Sequence, residues 1–573
     1  MRTLKHTSYW ARIWNAECGM QNAECETGNA VCEFPLILTD ENRKLFFSDD
    51  DYSKLKIRPT PLLMDYSPSY ISLGNKLLVY KPDKETEDKI KSSEPDMVIL
   101  ANAHQLITHP KKFCEIYTKL RMISYPLPLY LPAVCAPNRI PVLLYIGVDV
   151  LDDLFIRLSA SQDVIITPEG LFTKSDNAAE TMHELLLHEM ELCKKSIEEN
   201  TLRFLVEQRI RTEPLLVEIL RELDLRYYDF QISRCPVVVG RGSWESAQRS
   251  GVRGQNTGFI RAYSKESLYI PEIVRFRKKI IENYVAPQST VVLLLPCSAR
   301  KPYSSSKSHR VFKEILFSVQ NHFAVHEIII TSPIGIVPRE LEYTYPAAHY
   351  DVPVTGDWDK IELDIVYTMF EHYLKKNRAC QYIINHTNID FTSMNTTAEI
   401  YTTEESNTKL KEILKNICES TAPLSLKEKI KHDMLGIATF QFNTELGREL
   451  IENAKFRGRY PFIQIYRAGN HEPPTDKPLA TFVPERGQFS LTIKGAELLE
   501  KHKMNRVFID DFEIKGDIFT PGILQVDSAI HVGDEVAIIQ KEKVVACGYA
   551  KMCTLDMLSY KRGVAVKVRE VVE

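Results

Sequence analysis

The stretch VVLLLPCSARKPYSSSKSH, residues 291–309, decides the fold of the middle of the chain. Its apolar, β-branched start predicts a buried strand that ends at Pro296. Apolar residues recur at helical spacing just beyond it and predict a helix: Val311, Phe312, Ile315, Leu316, Val319 and Phe323. The polar segment between them is therefore a loop that connects a strand to its crossover helix. Such loops line the carboxyl edge of an open α/β sheet, where binding sites lie.

Strands and helices continue to alternate after this loop. The predicted order is strand EIIIT, extended HYDVPV, helix DWDKIELDIVYTMFEHYLKK and strand YIIN. Alternation of this kind favours a parallel sheet with helices on both faces.

The composition is that of an ordinary soluble protein. Of 573 residues, 44% are hydrophobic and 26% are charged, and the formal net charge is −4. No apolar run approaches the roughly 18 residues of a membrane span, and the first residues lack a secretory signal, so we expect a cytoplasmic protein. The 12 cysteines include no CxxC pair, which favours reduced thiols. The net charge neither requires nor excludes a nucleic-acid partner, because one face can be basic.

We expect four units in a multi-domain α/β plus β protein. A long helical zone from about Asn177 to Leu225 ends the first unit, and the linker RGSWESAQRSGVRGQNTG follows it. In the third unit GIATFQFN, FIQIY, ATFV and FSLTI are predicted strands, preceded by a charged stretch without clear pattern at 402–431. Short strands with Gly-containing turns predict a small β-barrel at the end. The expected boundaries are 1–234, 255–420, 430–498 and 499–573.

Two patterns that suggest metal sites are better explained otherwise. Cys18, Cys25 and Cys32 lie in three near-copies of seven residues, which a tandem duplication in a loop explains better than a metal site. His183 and His188 in HELLLH are five residues apart, whereas the zinc-protease motif needs four. No GxxxxGK[ST] loop follows a strand, so nucleotide hydrolysis is not indicated.

Three stretches resemble archaeal tRNA-guanine transglycosylases. Residues 515–539 and 544–558 resemble a PUA domain, an RNA-binding barrel. ATFQFNTELGRELI, KFRGRYPFIQIY and PERGQFSLTIKGAELL resemble the small α+β domain that precedes PUA in that family. IPVLLYIGVDVLDD, TPEG and residues 185–223 resemble the end of the transglycosylase barrel. The resemblance implies a degenerate TIM-barrel-like N-terminal domain.

The departures from that family concern its chemistry. The chain has no Asp-Ser-Gly element, which holds the transglycosylase nucleophile. His188 occupies the place of the family's zinc-binding histidine, but residues 170–181 contain no cysteine, and one ligand of four cannot hold zinc. We therefore expect neither base exchange nor a bound metal or other cofactor.

PCSARKPYSSSKSH and residues 332–362 resemble the archaeosine synthase family, a transglycosylase paralogue, and the similarity runs in order along nearly the whole chain. The resemblance implies tRNA as partner, with the base preQ0 (7-cyano-7-deazaguanine) at position 15. It also implies addition of an amine nitrogen to the nitrile, which gives an amidine. The donor is lysine in one family interpretation and glutamine-derived or free ammonia in the other, and a radical-SAM partner protein then releases archaeosine. Residual base exchange and a non-catalytic tRNA-binding scaffold are the alternatives, and a homo-oligomer stays open.

Four loop residues are the predicted catalytic groups. Cys297 follows the strand directly, with Arg300 and Lys301 close by to favour a thiolate that adds to the nitrile. Lys301 could hold a phosphate, orient the base or polarise the nitrile. Tyr303 offers a stacking face and a phenol proton, and His309 is the candidate general acid or base. The plainer interpretations are a structural cysteine, a solvated lysine, a loop-capping aromatic and a histidine at a helix start.

Substrate and RNA contacts are predicted at further positions. Ser304, Ser305 and Ser308 are suited to binding phosphate or capping the helix. Carboxylates that could hold a donor amino group or protonate the amidine, or lie on a solvated face, are Glu340, Asp351 and Asp357, with Glu342 beside them. The basic and aromatic run KFRGRY predicts RNA contacts at Lys455, Arg457 and Arg459. The PUA resemblance adds Gly516, Gly522, Lys561 and Arg562.

Overall fold

The computed structural model describes residues 2–18, 30–39, 72–73, 77–93, 95–173, 177–238, 260–353, 356–468 and 477–572. The predicted linker and the middle of the cysteine repeat lie outside these ranges. The chain forms two compact units. The first comprises residues 1–235 with two short pieces of the C-terminal region, 518–523 and 552–565. The second comprises 236–517, 524–551 and 566–573.

The strands before residue 235 are β1 (Arg2–Ser8), β2 (Ala11–Cys18), β3 (Ala30–Phe34), β4 (Leu36–Leu38), β5 (Ser72–Leu73), β6 (Leu77–Tyr80), β7 (Met97–Leu100), β8 (Leu129–Tyr130), β9 (Val150–Asp152), β10 (Val164–Thr167) and β11 (Gly170–Thr173). The helices are α1 (Lys84–Ser93), α2 (Ala103–Leu106), α3 (Pro110–Ser124), α4 (Ile140–Tyr145), α5 (Leu154–Ala160), α6 (Ala178–Glu198), α7 (Leu202–Arg209), α8 (Pro214–Arg226) and α9 (Tyr228–Ile232). Helices α6 to α8 confirm the predicted helical zone.

Strands β4 to β9 form one sheet in the order β4-β9-β8-β7-β6-β5, parallel except for β5. Strand β4, the earliest of the six in the chain, pairs with β9, the latest, as the first and last strands of a closed barrel do. Full closure would also require β4 to pair with β5. Among the residues described, however, β4 and β5 are the two edges and do not pair. Closure into the degenerate barrel therefore stays a prediction. Strands β1, β2 and β3 form a separate antiparallel sheet, so the two ends of the cysteine repeat are strands rather than a loop.

Buried ion pairs hold the C-terminal piece in the first unit. Arg234 donates to both carboxylate oxygens of Asp556, at 2.9 and 3.3 Å. Arg12 donates to the hydroxyl of Tyr560 at 2.9 Å and pairs with Asp149 at 2.8 Å. These side chains are almost completely enclosed, so the piece 552–565 is part of this unit's interior.

The strands after residue 259 are β12 (Ile260–Arg261), β13 (Val291–Pro296), β14 (Val325–Thr331), β15 (Gly335–Pro338), β16 (Tyr350–Asp351), β17 (Tyr382–Asn385), β18 (Glu399–Thr402), β19 (Ala454–Arg459), β20 (Phe462–Arg467), β21 (Ala480–Val483), β22 (Gln488–Leu491), β23 (Arg506–Ile509), β24 (Ile518–Phe519), β25 (Ile523–Val526), β26 (Glu535–Gln540), β27 (Lys543–Ala550) and β28 (Val564–Val571). The helices are α10 (Pro271–Glu282), α11 (Lys307–Phe317), α12 (Lys360–Lys376), α13 (Asn407–Ser420), α14 (Leu426–Gln441), α15 (Thr444–Glu452), α16 (Ile493–Lys501) and α17 (Thr554–Ser559).

The predicted α/β sheet is confirmed, with β13 at its centre. Its strand order is β15-β14-β13-β17-β18, and β15 alone runs antiparallel. Alternate residues of β13 point to opposite faces. Val291, Leu293 and Leu295 pack with α11 and α13, while Val292 and Leu294 pack on the other face with α10 and α12. Burial on both faces explains why this strand is apolar at every position.

One expectation for the region after this sheet is wrong. The charged stretch at 402–431 contains α13 and the start of α14, and GIATFQFN forms the end of α14 rather than a strand. Its β-branched and aromatic residues favour strand by propensity, but Met434, Ile437 and Ala438 share a buried helical face. A capping box at Ser425 and Glu428 starts this helix. Tertiary packing therefore overrides local preference here.

Two smaller sheets complete the chain. Strands β19 to β22 form a four-stranded antiparallel sheet in chain order, with α15 and α16 beside it in sequence. The last sheet has the order β24-β28-β27-β26-β23-β25 and forms the nearly closed barrel expected at the end. No helix among the described residues is long and apolar enough to span a bilayer. The four predicted domain boundaries stay predictions.

Candidate functional site

The candidate site lies at the carboxyl edge of the five-stranded sheet, where β13 and β14 end side by side. The parallel register pairs Pro296 with Ile330, so Cys297 and Thr331 leave the sheet at the same level. Helix α11 begins behind the loop, and its N-cap Ser306 accepts the N–H of His309 at 3.3 Å. Strand end, loop and helix start thus form one compact group of polar side chains.

Cys297 is half-buried at the strand end and packs partly against the core of the second unit. Its sulfur lies near two phenols. Burial raises the pKa of Tyr303 and of Tyr350, and the cysteine adds to the increase at both. Both phenols therefore stay protonated at neutral pH and serve as donors, not as bases. Cys297 is thus a free, half-buried thiol beside two protonated phenols.

Three hydroxyl groups form a continuous chain behind the cysteine. Tyr303 is 0% exposed, and its hydroxyl lies 2.8 Å from that of Tyr350. The Tyr350 hydroxyl also bonds to the hydroxyl of Thr331 at the end of β14. We call these three residues the hydroxyl chain. A fully enclosed ring offers no face for base stacking, so this geometry favours a hydroxyl role for Tyr303.

Lys301 brings a positive charge into the same group. The residue is only 4% exposed, and its ammonium lies 4.0 Å from the ring centroid of Tyr350. A cation over an aromatic face is attracted by the negative face of the ring, and the attraction grows when water is excluded. Lys301 is thus a buried cation beside the hydroxyl chain rather than a solvated loop lysine.

Arg339 connects the loop to the neighbouring strand. Its guanidinium donates to Glu327 of β14 at 2.6 and 3.1 Å and to Glu342 at 3.2 Å. Glu342 also accepts the backbone N–H of Ser304 at 2.8 Å. We call His309, Glu327, Arg339 and Glu342 the Arg339 cluster. It holds the loop in place from behind.

His309 is fixed in one uncharged form by its two partners. Nδ1 lies 2.9 Å from a guanidinium nitrogen of Arg339, which can only donate, so Nδ1 carries no proton. Nε2 therefore holds the proton and donates to the carbonyl of Pro296 at 3.0 Å. Burial, together with the charge of Arg339, lowers the pKa of His309 to about 3. Both nitrogens are occupied, so this arrangement favours a positioning role for His309 over the predicted acid or base role.

The predicted serines line the loop in different ways. Ser304 is held through its N–H, and the Ser305 hydroxyl donates to the carbonyl of Pro302 at 2.7 Å. Ser308 is exposed, with its hydroxyl 3.3 Å from that of Ser306. Ser304 and Ser305 are half-buried, and Ser308 is the exposed member of the three.

The predicted carboxylates do not converge. Glu340 is enclosed, and it accepts from the Tyr284 hydroxyl at 2.5 Å and lies 3.0 Å from Nε2 of His326. Asp351 is half-buried and accepts from the Tyr263 hydroxyl at 3.2 Å, and Asp357 is exposed. The acidic group that touches the loop is Glu342.

The predicted RNA-binding residues are exposed or half-buried. Arg457 and Arg459 are exposed and Lys455 is half-buried, all on β19. Gly516 is exposed, Gly522 is half-buried, and Lys561 and Arg562 are exposed. His188, the remnant of the family zinc site, is exposed on α6. The expected absence of a cofactor stays a prediction.

Sequence reasoning missed Tyr350, Thr331 and Arg339. Thr331 ends a strand adjacent to β13, which is a signal that could have been used, because carboxyl ends of neighbouring parallel strands meet. Tyr350 precedes the predicted Asp351, and side chains alternate along an extended segment, so Tyr350 points to the side opposite Asp351 and was not considered. Arg339 carried no signal, since its partners Glu327 and His309 are 12 and 30 residues away in sequence.

Together these groups suit attack on a weak electrophile held at the loop. A partly exposed thiol can act as nucleophile, and a buried ammonium and protonated phenols can stabilise developing negative charge or supply a proton.

Comparison with known proteins gives two family matches. Residues 273–421 match a domain of unknown function, DUF5591, and residues 505–572 match the PUA domain. The first match contains the whole loop and the Arg339 cluster.

Curated and solved relatives are similar over much of the chain. "Archaeosine synthase subunit alpha" of Methanosarcina acetivorans is 34% identical over 85% of this chain and 81% of its own. "tRNA-guanine(15) transglycosylase" of Methanobrevibacter smithii is 25% identical over 67% of this chain and 53% of its own. A crystal structure titled "AF0587, a protein of unknown function" aligns with 52% of this chain and 100% of its own, at 26% identity and a TM-score of 0.40.

Proposed function

This chain belongs to the archaeosine synthase family, and from that premise we propose that it modifies tRNA that carries preQ0 at position 15. In the proposed reaction an amine nitrogen adds to the nitrile of preQ0 and forms an amidine on the route to archaeosine. The observation that carries the proposal is the half-buried thiol of Cys297 beside the buried Lys301 ammonium and the hydroxyl chain.

The chemistry proceeds by an addition followed by a substitution. The Cys297 thiol adds across the C≡N bond: sulfur bonds to carbon, and a proton goes to nitrogen, which gives a thioimidate. The donor amine then attacks the same carbon, the carbon–sulfur bond breaks, and the proton released by the amine returns to the thiolate. The sum is addition of N–H across the nitrile, which needs no oxidant, reductant or metal.

The neighbouring groups each have a task in this scheme. Lys301 polarises the nitrile from its position over Tyr350. The hydroxyl chain relays the proton of the Cys297 thiol to the nitrile nitrogen, so that each phenol is protonated again when the step is complete. His309 and the rest of the Arg339 cluster hold Pro296 and Ser304, and therefore the thiol, in place. Developing charge on nitrogen thus meets donors that are already oriented.

We propose lysine as the donor and a radical-SAM protein as the partner that releases archaeosine. Asp351 and Asp357 lie at or near the surface, where a carboxylate can hold the amino group of a donor. The PUA domain and the basic strand β19 bind the tRNA at a distance from Cys297. The binding energy gained there holds one base in position at the loop.

The decisive experiment incubates the chain with preQ0-containing tRNA and isotope-labelled lysine, followed by mass analysis of the nucleosides. A gain of one lysine supports the proposal. Incorporation of labelled guanine or preQ0 would support base exchange instead, and tRNA binding without covalent change would support a scaffold.

Single variants distinguish the role of the Cys297 thiol from a general effect of replacing a cysteine. We expect Cys297→Ala and Cys297→Ser to abolish the adduct while tRNA affinity stays unchanged. Cys380→Ser is the matched control, because Cys380 is also a half-buried free cysteine but lies on the amino-terminal side of β17. Full activity of either Cys297 variant would remove this residue as nucleophile.

A further inference from the structure

We propose that the solvent face of the sheet β19–β22 binds an unpaired stretch of RNA, with Phe462 stacking on one of its bases. The inference deepens the proposed function and rests on it in one respect, because it takes the RNA to be the tRNA substrate. Phe462 was not among the residues predicted from the sequence. All side chains of this face belong to the second unit.

The register of the first two strands decides which side chains share this face. Directly paired residues of an antiparallel ladder project to the same side. The pairs on the side opposite the core are Arg459–Phe462, Arg457–Gln464 and Lys455–Tyr466. Tyr466 is only 7% exposed and Lys455 is half-buried, so the open part of this face is the end that carries Arg459 and Phe462. The other side carries Ile463 and Ile465, which are fully buried. One row of cations therefore runs directly beside a row of aromatic and amide side chains.

The cation row has the form of a phosphate-binding track. Lys455, Arg457 and Arg459 are two residues apart along an extended strand, which spaces them by about 6.8 Å. Arg457 and Arg459 are exposed. Within the described part of the chain neither arginine forms an ion pair with a carboxylate. Uncompensated guanidinium groups in a row complement a chain of phosphates.

Phe462 makes an unpaired strand the better partner than a duplex. The ring is 66% exposed, although a large apolar side chain gains from burial. Aromatic side chains on a sheet stack with bases whose faces are free, and paired bases hide their faces within the duplex. The Tyr466 hydroxyl donates to Oε1 of Gln464 at 2.9 Å, and this bond orients the Gln464 amide, which lies two residues from Phe462 on the same face of β20. An oriented amide can bond to the edge of a stacked base.

The same hairpin is attached to the candidate site. Tyr460, in its turn, donates a hydrogen bond to the carbonyl of Glu340 at 3.1 Å. Its ring packs edge-on against Tyr343, with centroids 5.9 Å apart. Glu340 and Tyr343 flank the segment that contains Glu342, which holds the loop through Ser304. A strand of RNA on this face is thus bound by a hairpin fixed to the same segment as the Cys297 loop.

The test compares RNA binding by the full chain and by single variants, using a twelve-nucleotide oligouridine strand, a twelve-base-pair RNA duplex and unmodified tRNA. We expect Phe462→Ala to weaken oligouridine binding about ten-fold and to leave duplex binding within two-fold, because one stacked base is lost. Arg459→Gln should weaken binding of both and reduce the salt dependence for the single strand by about 0.7 in log–log slope.

Phe317→Ala is the matched control, since Phe317 is a 50% exposed aromatic residue of the same unit on α11. Equal loss in this control, an unchanged Phe462→Ala variant or no oligouridine binding by the unaltered chain would each overturn the inference. None of these readouts uses preQ0 or lysine. Failure of the RNA face is therefore distinguishable from failure of the proposed reaction.

Discussion

The guanidinium of Arg339 approaches Nδ1 of His309 to 2.9 Å, and this contact determines where the proton of the imidazole lies. The proton must be on Nε2, which donates it to Pro296, one residue before Cys297. His309 is therefore an uncharged residue that connects the end of β13 to Arg339 through hydrogen bonds. A positioning role and a proton-transfer role of His309 can be distinguished by mutation, because they tolerate different replacements.

We expect His309→Gln to retain activity within about five-fold and His309→Ala to lose about 10- to 100-fold. Glutamine can donate to the Pro296 carbonyl and accept from Arg339, whereas alanine leaves both groups unpaired, at about 1–3 kcal/mol. The measurement is the rate of lysine addition to preQ0-tRNA. Equal inactivity of both variants would show that His309 transfers a proton.

The pH dependence of stability should reveal the same histidine. Its folded-state pKa of about 3 lies below the unfolded value of about 6.5, so between these values the unfolded chain binds more protons. The neutral His309 therefore contributes fully to the free energy of unfolding above about pH 6.5, and this contribution is lost as the pH falls towards 3. When the pH falls from 6 to 4.5, the free energy of unfolding should decrease in both proteins. The decrease should be about 2 kcal/mol smaller in His309→Gln than in the unaltered chain. Urea denaturation measures this, and the exposed His188→Gln is the control.

Removal of the Glu342 carboxylate should loosen the loop. Glu342→Ala leaves the N–H of Ser304 and a guanidinium bond of Arg339 without an acceptor, which costs about 1–3 kcal/mol locally. Hydrogen exchange of a peptide covering residues 297–306 should therefore accelerate roughly ten-fold. Glu371→Ala, on an exposed position of α12, should leave this peptide unchanged. Equal protection in both variants would count against the cluster as the support of the loop.

Loss of the Asp556 carboxylate should destabilise the first unit strongly. Asp556→Ala leaves the Arg234 guanidinium buried without its charged partner, which costs about 3–5 kcal/mol. Asp517→Ala breaks a pair with the half-exposed Lys567 and should cost at most about 1 kcal/mol. Thermal and urea unfolding compare the two. A similar small loss in both would mean that the Arg234 pair contributes little.

The sequence predicted most of the sheet that carries the site. The apolar run from Val291 to Leu295 is continuous because β13 is covered on both faces, so periodicity and neighbouring turns were enough to identify it. Helix α14 was missed because Ile437, Thr439 and Phe440 favour strand locally, and only packing against the rest of the unit selects helix.

The candidate site could be predicted only where its residues are close in sequence. Cys297, Lys301, Tyr303 and His309 lie in one short stretch, the loop and the first turn of α11, and the structure places them in one group. Tyr350 and Arg339 reach that group from other elements through tertiary contacts. A pattern of side chains that meet only after folding has no counterpart in local composition.

The buried contact between Arg234 and Asp556 sets an order of events during synthesis. Residues 234 and 556 are 322 positions apart, and a ribosome that adds about 5–20 residues per second needs roughly 15 to 65 s to cover that distance. During this interval the nascent amino-terminal half lacks the helix that its interior requires. The buried Arg234 can therefore gain its carboxylate partner only after almost the whole polypeptide has been synthesised.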